Sequence, residues 1–136
     1  MNSKNKAIIW QEKQHLLFNL DTLLDYSAEQ YFWSELLPKA YSSRKQLSLE
    51  QAKLFIQSEL AGQNGTLNFY CIDYWQAKLG LDILLLQQEH ASQLKFKPYA
   101  EKFLFYLDNL KAEHKFQMHL ISNEHPKALA VKIRAT

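Results

Sequence analysis

The sequence is poor in cysteine, glycine and proline, and it has no excess of one charge. Cys71 is the one thiol, which excludes an internal disulfide and fits a reducing compartment. It lies among Phe69, Tyr70, Tyr74 and Trp75, so a buried, unreactive side chain is the better reading. Three glycines and three prolines in 136 residues go with the lack of any repeat, low-complexity tract or flexible linker. The 16 basic and 14 acidic residues leave a net charge of +2. No stretch interleaves basic residues with aromatics, so no nucleic-acid footprint is expected. The N-terminal MNSKNKAIIWQEKQ holds only a short apolar patch, against about 7–15 apolar residues for a signal peptide and about 18 for a membrane span. These absences together describe a soluble, cytoplasmic chain with no membrane or nucleic-acid partner. The five histidines (His15, His90, His114, His119 and His125) form no i,i+4 pair and have no second ligand type beside them, which argues against a dedicated zinc site.

What is present is an ordinary globular composition, 47% apolar and 22% charged, with a high aromatic share of 13%. The length suits one domain with a real core. The apolar run HLLFNL, His15 to Leu20, predicts a buried strand. Ser27 is a plausible N-cap for a helix with Ala28, Tyr31, Phe32 and Leu36 on one face, ending near Pro38. SLEQ, from Ser48 to Gln51, has the form of a capping box. It opens a helix with Leu49, Ala52, Phe55, Ile56 and Leu60 on its apolar face, and GQNG ends that helix. Thr66 is placed to cap a third helix striped by Leu67, Tyr70, Cys71, Tyr74 and Trp75 and closed by Gly80. A fourth runs from about Asp82 through ILLLQQEHASQL. Pro98 opens a fifth, with Tyr99, Phe103, Tyr106, Leu107 and Leu110 aligned. A second strand is expected within KFQMHLIS, Lys115 to Ser122, and a last helix from Pro126. Two strands joined through helices are normally parallel.

Several stretches now resemble a known family. Phe18-Asn19-Leu20-Asp21-Thr22-Leu23-Leu24-Asp25 follows an apolar strand. It is similar to the first motif of the haloacid dehalogenase (HAD) superfamily of phosphohydrolases, Asp-x-Asp-Gly-Thr followed by Leu-Leu-Asp. LISNEHPKALAVKI, Leu120 to Ile133, resembles the second motif, a strand ending in Ser or Thr and then Asn. YFWSELLP (Tyr31 to Pro38) and LNFYCIDYWQAKLGLDI (Leu67 to Ile83) resemble the GMP/IMP nucleotidase group within that superfamily. The resemblance implies an α/β, helix-dominated chain. Its expected shape is a truncated HAD-like Rossmannoid half-core of two parallel strands with a large α-helical cap. The core pieces would be residues 12–25 and 97–136, and the cap 26–96, in one unit.

The same resemblance assigns roles. HAD phosphoryl transfer needs an ionised carboxylate nucleophile, a proton donor for the leaving oxygen and a cation. Asn19 stands in the nucleophile position, where a carboxamide carries no negative charge. Asp21 stands in the acid/base position. Thr22, Ser122 and Asn123 match substrate-binding positions, and Asn19 and Asp21 match the positions that hold Mg2+. The motif's glycine is missing between Asp21 and Thr22, which is expected to shift the loop by about 3.5 Å. A competing alignment treats Leu20 as inserted or the loop as reshaped. For Ser122 and Asn123 the residues alone equally suggest a strand-end turn or a cap for the next helix. Tyr31, Trp33, Tyr74 and Trp75 either line a base pocket between cap and core or are simple core.

The family's third motif supplies a lysine and its fourth an acidic pair, both after the second motif. Lys127 and Lys132 lie in the helix directly after the second motif, too early for that lysine, and no Asp or Glu follows Glu124. The sequence therefore reads as a nucleoside-monophosphate 5′-phosphatase relative without catalysis, acting if at all by binding a nucleotide or phosphate. The alternative is a Mg2+-dependent hydrolase of nucleotides or small phosphate esters, completed by oligomerisation or a partner. Two strands alone leave unpaired edges. A homodimer, a protein partner or repacking by the aromatic-rich helices is expected to cover them.

Overall fold

The structure, a computed structural model, describes residues 14–136. Residues 12 and 13 of the first expected core piece lie outside this range. Strand β1 (His15–Asn19) pairs in parallel with β2 (Gln117–Ile121), in a register running from His15↔Gln117 to Asn19↔Ile121. Between them lie one short turn of helix, α1 (Leu20–Leu23), and then α2 (Ser27–Tyr31), α3 (Leu37–Lys45), α4 (Leu49–Gln63), α5 (Ile72–Leu79), α6 (Ile83–His90) and α7 (Ala100–His114). Helix α8 (Pro126–Ala135) follows β2. The architecture is the expected helix-dominated α/β one, with a two-stranded parallel sheet.

The chain leaves the strand region and returns to it side by side. Asp25 N donates to Lys95 O and Lys97 N donates to Leu23 O, both at 2.8 Å, around an antiparallel bridge between Leu24 and Phe96. Leu24 is buried. This short bridge closes residues 26–94 into a helical lobe on a narrow neck.

Local chemistry explains most element ends. The capping box at Ser48 forms in full, with Gln51 N donating to Ser48 Oγ and Ser48 N donating to Gln51 Oε1. Gly80 closes α5 at φ 66, the left-handed conformation that costs glycine least. Asp82 caps α6 by accepting from Leu85 N at 2.9 Å.

Four expectations change. Ser27 does not cap α2; the N-cap position is Tyr26, which makes no side-chain cap bond, and Asp25 Oδ1 accepts from Ser27 N at 2.8 Å in the turn before it. The helix does not stop at Pro38. A π-helical turn over Phe32–Leu36, with Leu37 N donating to Phe32 O, widens the helix where the proline ring would meet the preceding carbonyl. The helix then runs on to Lys45, with Gln46 left-handed at φ 55. The third helix is broken at Cys71. A 3-10 turn over Leu67–Tyr70 precedes α5, so the buried stripe is Ile72, Trp75 and Leu79, while Leu67 is 90% exposed. Pro98 sits two residues before α7, whose N-cap is Tyr99 at φ 67, and of the aligned residues there only Leu107 is buried.

The largest buried cluster lies wholly in the helical lobe: Phe32, Leu37, Tyr41, Ala52, Ile56, Ile72, Trp75, Leu79 and Ile83. Around the sheet the buried set is smaller, with Leu20, Leu23, Leu107, Phe116, Ala128 and Val131. Leu17 on β1 is 66% exposed, and Leu120 and Ile121 on β2 are exposed. No helix among the described residues is long and apolar enough to cross a membrane.

The break at Cys71 is testable. Leu79→Ala is expected to cost about 3 kcal/mol in denaturant unfolding, as for a fully buried leucine. Leu67→Ala should cost under about 0.5 kcal/mol. Similar losses for both would mean that the unbroken stripe, with Leu67 inside, is the real one.

Candidate functional site

The parallel register puts Asn19 beside Ile121, so the ends of both strands, and the loops after them, open on one side of the sheet. In parallel sheets this carboxyl end is where ligand sites form. Asn19, Asp21 and Thr22 follow β1; Ser122, Asn123 and Glu124 follow β2. The two motif loops thus lie on the same side, as expected, but their polar groups are mostly used within the loops.

Asn19 is the N-cap of α1, and its Oδ1 accepts from Asp21 N at 3.1 Å. Asparagine suits this role because its short side chain reaches the orphan amides of a helix start. The Thr22 hydroxyl donates back to Asn19 O at 2.6 Å. Ser122 Oγ accepts from Glu124 N at 3.1 Å, a strand-end turn. The cap of α8 is neither Ser122 nor Asn123 but His125, whose Nδ1 accepts from Lys127 N at 3.2 Å. Asn123 is exposed. Asp21 differs: its main chain is engaged, with Lys97 Nζ donating to its carbonyl at 3.2 Å, while its exposed carboxylate makes no hydrogen bond or ion pair among the described residues.

Asp21 borders a cleft of about 330 Å³ between the motif loops and the helical lobe, a size that suits a small-molecule ligand. Its sheet-side wall is Asp21, Glu124, Ala128 and Lys132, and its lobe-side wall includes Tyr26, Glu29, Trp33, Tyr70, Trp75 and Gln87. Of the four aromatics weighed from the sequence, Trp33 and Trp75 line this cleft. Tyr31 is instead exposed, and Tyr74 packs edge-on against Trp75.

The wall carries an ionic cluster that joins α2 to the loop after β2 and to α8. Lys132, only 5% exposed, pairs with Glu29 Oε2 at 2.8 Å and with Glu124 Oε1. Glu29 Oε1 in turn accepts from Trp33 Nε1 at 2.8 Å. Burial pushes the Lys132 ammonium down, but the two carboxylates outweigh it and hold the group above the ordinary lysine value. Burial pushes the Glu124 carboxyl up, against the pull of Lys132. One ammonium shared by two carboxylates accounts for both directions. A second, exposed set ties the loop after β2 to α5. Asp73 meets Lys127 Nζ at 2.9 Å and His125 Nε2 at 3.3 Å, and His125 N donates to Tyr70 O at 3.3 Å. The Lys127 hydrogen bond holds Asp73 below the ordinary aspartate value of 3.8.

Glu29, Glu124, Lys132 and Gln87 escape a motif-by-motif reading. One signal was available: Lys132 falls four residues after Ala128 and one after Val131, on the buried stripe of α8. A charged residue there requires a partner.

Mg2+ is usually held by one or two carboxylates with waters and substrate phosphates, and Asn19 and Asp21 are the positions that the resemblance gives to it. Asn19 Oδ1 is already engaged, which leaves the Asp21 carboxylate. No group of three or more His, Cys, Asp or Glu able to hold a metal ion is found among the described residues.

Two measurements follow. Asn19→Ala is expected to lose about 1 kcal/mol in thermal or urea unfolding, and Asn19→Asp almost nothing, because aspartate caps a helix equally well; equal losses would rule out the capping role. Asp73 is depressed in the folded state, so its stabilisation is present above 3.8 and lost as pH falls through its lower folded value. The melting temperature should fall less steeply below pH 3.8 in Asp73→Asn than in the natural chain. Parallel curves would refute the linkage.

No family model matches the chain. It is 35% identical over 130 residues to the GMP/IMP nucleotidase YrfG of Escherichia coli (strain K12), and equally to that of Shigella flexneri. Each alignment takes in 95% of this chain and 57% of the relative, so the chain spans a little over half the length of the curated relatives it matches. A solved structure of a HAD phosphatase from Thermococcus onnurineus superposes with a TM-score of 0.72, at 17% identity, over 90% of this chain and 56% of that one. Sequence kinship and fold thus point the same way, and the chain is a relative of the haloacid dehalogenase superfamily.

Proposed function

We propose that this HAD-type phosphatase relative binds a purine mononucleotide in the cleft beside Asp21 and does not hydrolyse it. The observation that carries the reading is Asn19. In the position that the family resemblance gives to the nucleophile stands a neutral amide, and its oxygen is committed to capping α1. A carboxamide lacks the charge needed to attack phosphorus. Thr22 and Ser122, the hydroxyls expected to hold a phosphoryl group, are engaged within their own loops. In this reading residues 26–96 are the cap, carried on the neck at Leu24 and Phe96, and the cleft lies between cap and core. The choice of ligand is supported by the relatives' description as GMP/IMP nucleotidases. A cytoplasmic setting belongs to the same proposal and is supported by the single thiol, Cys71.

The test is a phosphate-release assay with GMP, IMP and AMP in the presence of Mg2+, beside equilibrium dialysis with the same nucleotides. Binding of a purine mononucleotide without phosphate release above the buffer control is expected, and Asp21→Ala should leave the release at that background. Turnover by the natural chain that vanishes in Asp21→Ala would replace this reading with that of a working Mg2+-dependent phosphatase. Failure of every nucleotide to bind would remove it altogether.

A further inference from the structure

Two histidines meet across the parallel pair, away from the cleft. His15 Nδ1 and His119 Nε2 are 3.0 Å apart, with ring centroids 5.2 Å apart and a tilt of 36°. The register sets His15 opposite Gln117 and Leu17 opposite His119, so the two rings are diagonal neighbours on one face of the sheet. That face is bare: His15, Leu17 and Asn19 of β1 and Gln117, His119 and Ile121 of β2 are all exposed. The two residues are 104 positions apart in the chain, so a search for i,i+4 pairs does not find them.

Two imidazole nitrogens this close share one proton, one ring donating and the other accepting. Neutral imidazole is also the commonest metal ligand. When the shared proton moves to the far nitrogen of its own ring, both facing nitrogens carry a lone pair. Bonds of about 2.0 Å from one ion to two nitrogens 3.0 Å apart would meet at about 97°. That angle is nearer the cis angle of a tetragonal site, the geometry of Cu2+ and Ni2+, than the wider tetrahedral angle of zinc. Each ring has to swing outward to aim at a common ion. Both are exposed, and among the described residues neither makes a hydrogen bond or ring contact except with the other.

We propose that His15 and His119 chelate one divalent ion of the copper and nickel class, with water in its other positions, and that the ion clips β1 to β2. Imidazole suits these ions and not Mg2+, which takes oxygen ligands. A neutral pair takes up the ion without releasing a proton. A pair carrying an extra proton must release it, so affinity falls as the pH is lowered. The clip sits where the fold has least to hold it, on a sheet of a single strand pair with Leu17 and Ile121 open to solvent. In the unfolded chain the two rings are separated by a long loop, so the chelate forms only when the strands pair. Binding therefore stabilises the folded chain. The proposal is independent of what the cleft binds.

The full chain, stripped with EDTA and dialysed, is titrated with Ni2+ by isothermal calorimetry at neutral pH, with Mg2+ as the control. Ni2+ is the probe because a thiol such as Cys71 does not reduce it. One ion per chain is expected, with a melting temperature that rises with Ni2+ concentration and no response to Mg2+. His15→Ala and His119→Ala should each weaken Ni2+ about a hundredfold, because the second linked ligand is lost, and remove the rise in melting temperature. Both residues are exposed, so both variants are expected to fold, which circular dichroism checks. His90→Ala, outside the sheet, should leave the Ni2+ affinity unchanged.

Absence of Ni2+ binding by the natural chain overturns the proposal. So does binding of equal strength in His15→Ala and His119→Ala, which would mean an adventitious ion only. An ion that binds and leaves the melting temperature of the natural chain unchanged overturns the clip.

Discussion

Lys132 is nearly fully buried, and a buried ammonium is tolerated only where its charge is met. Glu29 and Glu124 meet it from opposite sides of the cleft. Glu29 belongs to α2, at the start of the helical lobe, and Glu124 to the loop that follows β2. The lysine itself comes from α8. The start of the lobe is thereby held to the loop and helix that follow β2, about a hundred residues further along the chain. Removing Lys132 would leave two carboxylates without the cation they share, which makes this lysine the structural constraint on which the cleft depends. Through Trp33, bonded to Glu29, it continues into the aromatic floor and the packed interior of the lobe.

The two halves of the molecule are held together in different ways. The lobe has its own close-packed cluster around Trp75, Leu79 and Ile83. The sheet region relies on a single parallel pair and leaves Leu17, Leu120 and Ile121 open to solvent. The neck at Leu24 and Phe96 is one bridge wide. Helix α8 packs against α6, and polar contacts add to the attachment: the buried Lys132 cluster and the exposed Asp73 set with Lys127 and His125. The lobe has its own packed interior, and its placement over the motif loops rests on these ion pairs together with the packing of α8, through the buried Ala128 and Val131, against the lobe.

Asn19 has a role in the fold that its local geometry explains. The turn from β1 into α1 uses a side chain at the end of the strand that reaches back to the next amides. Asparagine does this with its carbonyl oxygen and loses nothing as a cap. An aspartate would cap the helix equally well and carry a negative charge that the amide lacks. Stability and catalysis therefore place separable demands on this residue.

By itself the sequence determined the elements whose causes are local. The parallel strands came from two apolar runs, α4 from the Ser48–Gln51 capping box, and the end of α5 from Gly80. The motif residues after each strand were legible because they are adjacent in the chain and match a family pattern. Tertiary structure alone decided the rest. The wide turn before Pro38 lets a helix pass a proline that reads as a stop. The break at Cys71 rotates the buried face from Leu67 to Ile72, Trp75 and Leu79. The cleft takes residues from α2, α5, α6 and α8, and no spacing in the chain announces that Glu29, Gln87, Glu124 and Lys132 share a wall. Periodicity reports which face of a helix is apolar, but the partner of a buried charge is fixed only when distant segments pack, because Coulomb attraction and desolvation depend on distance in space and not along the chain.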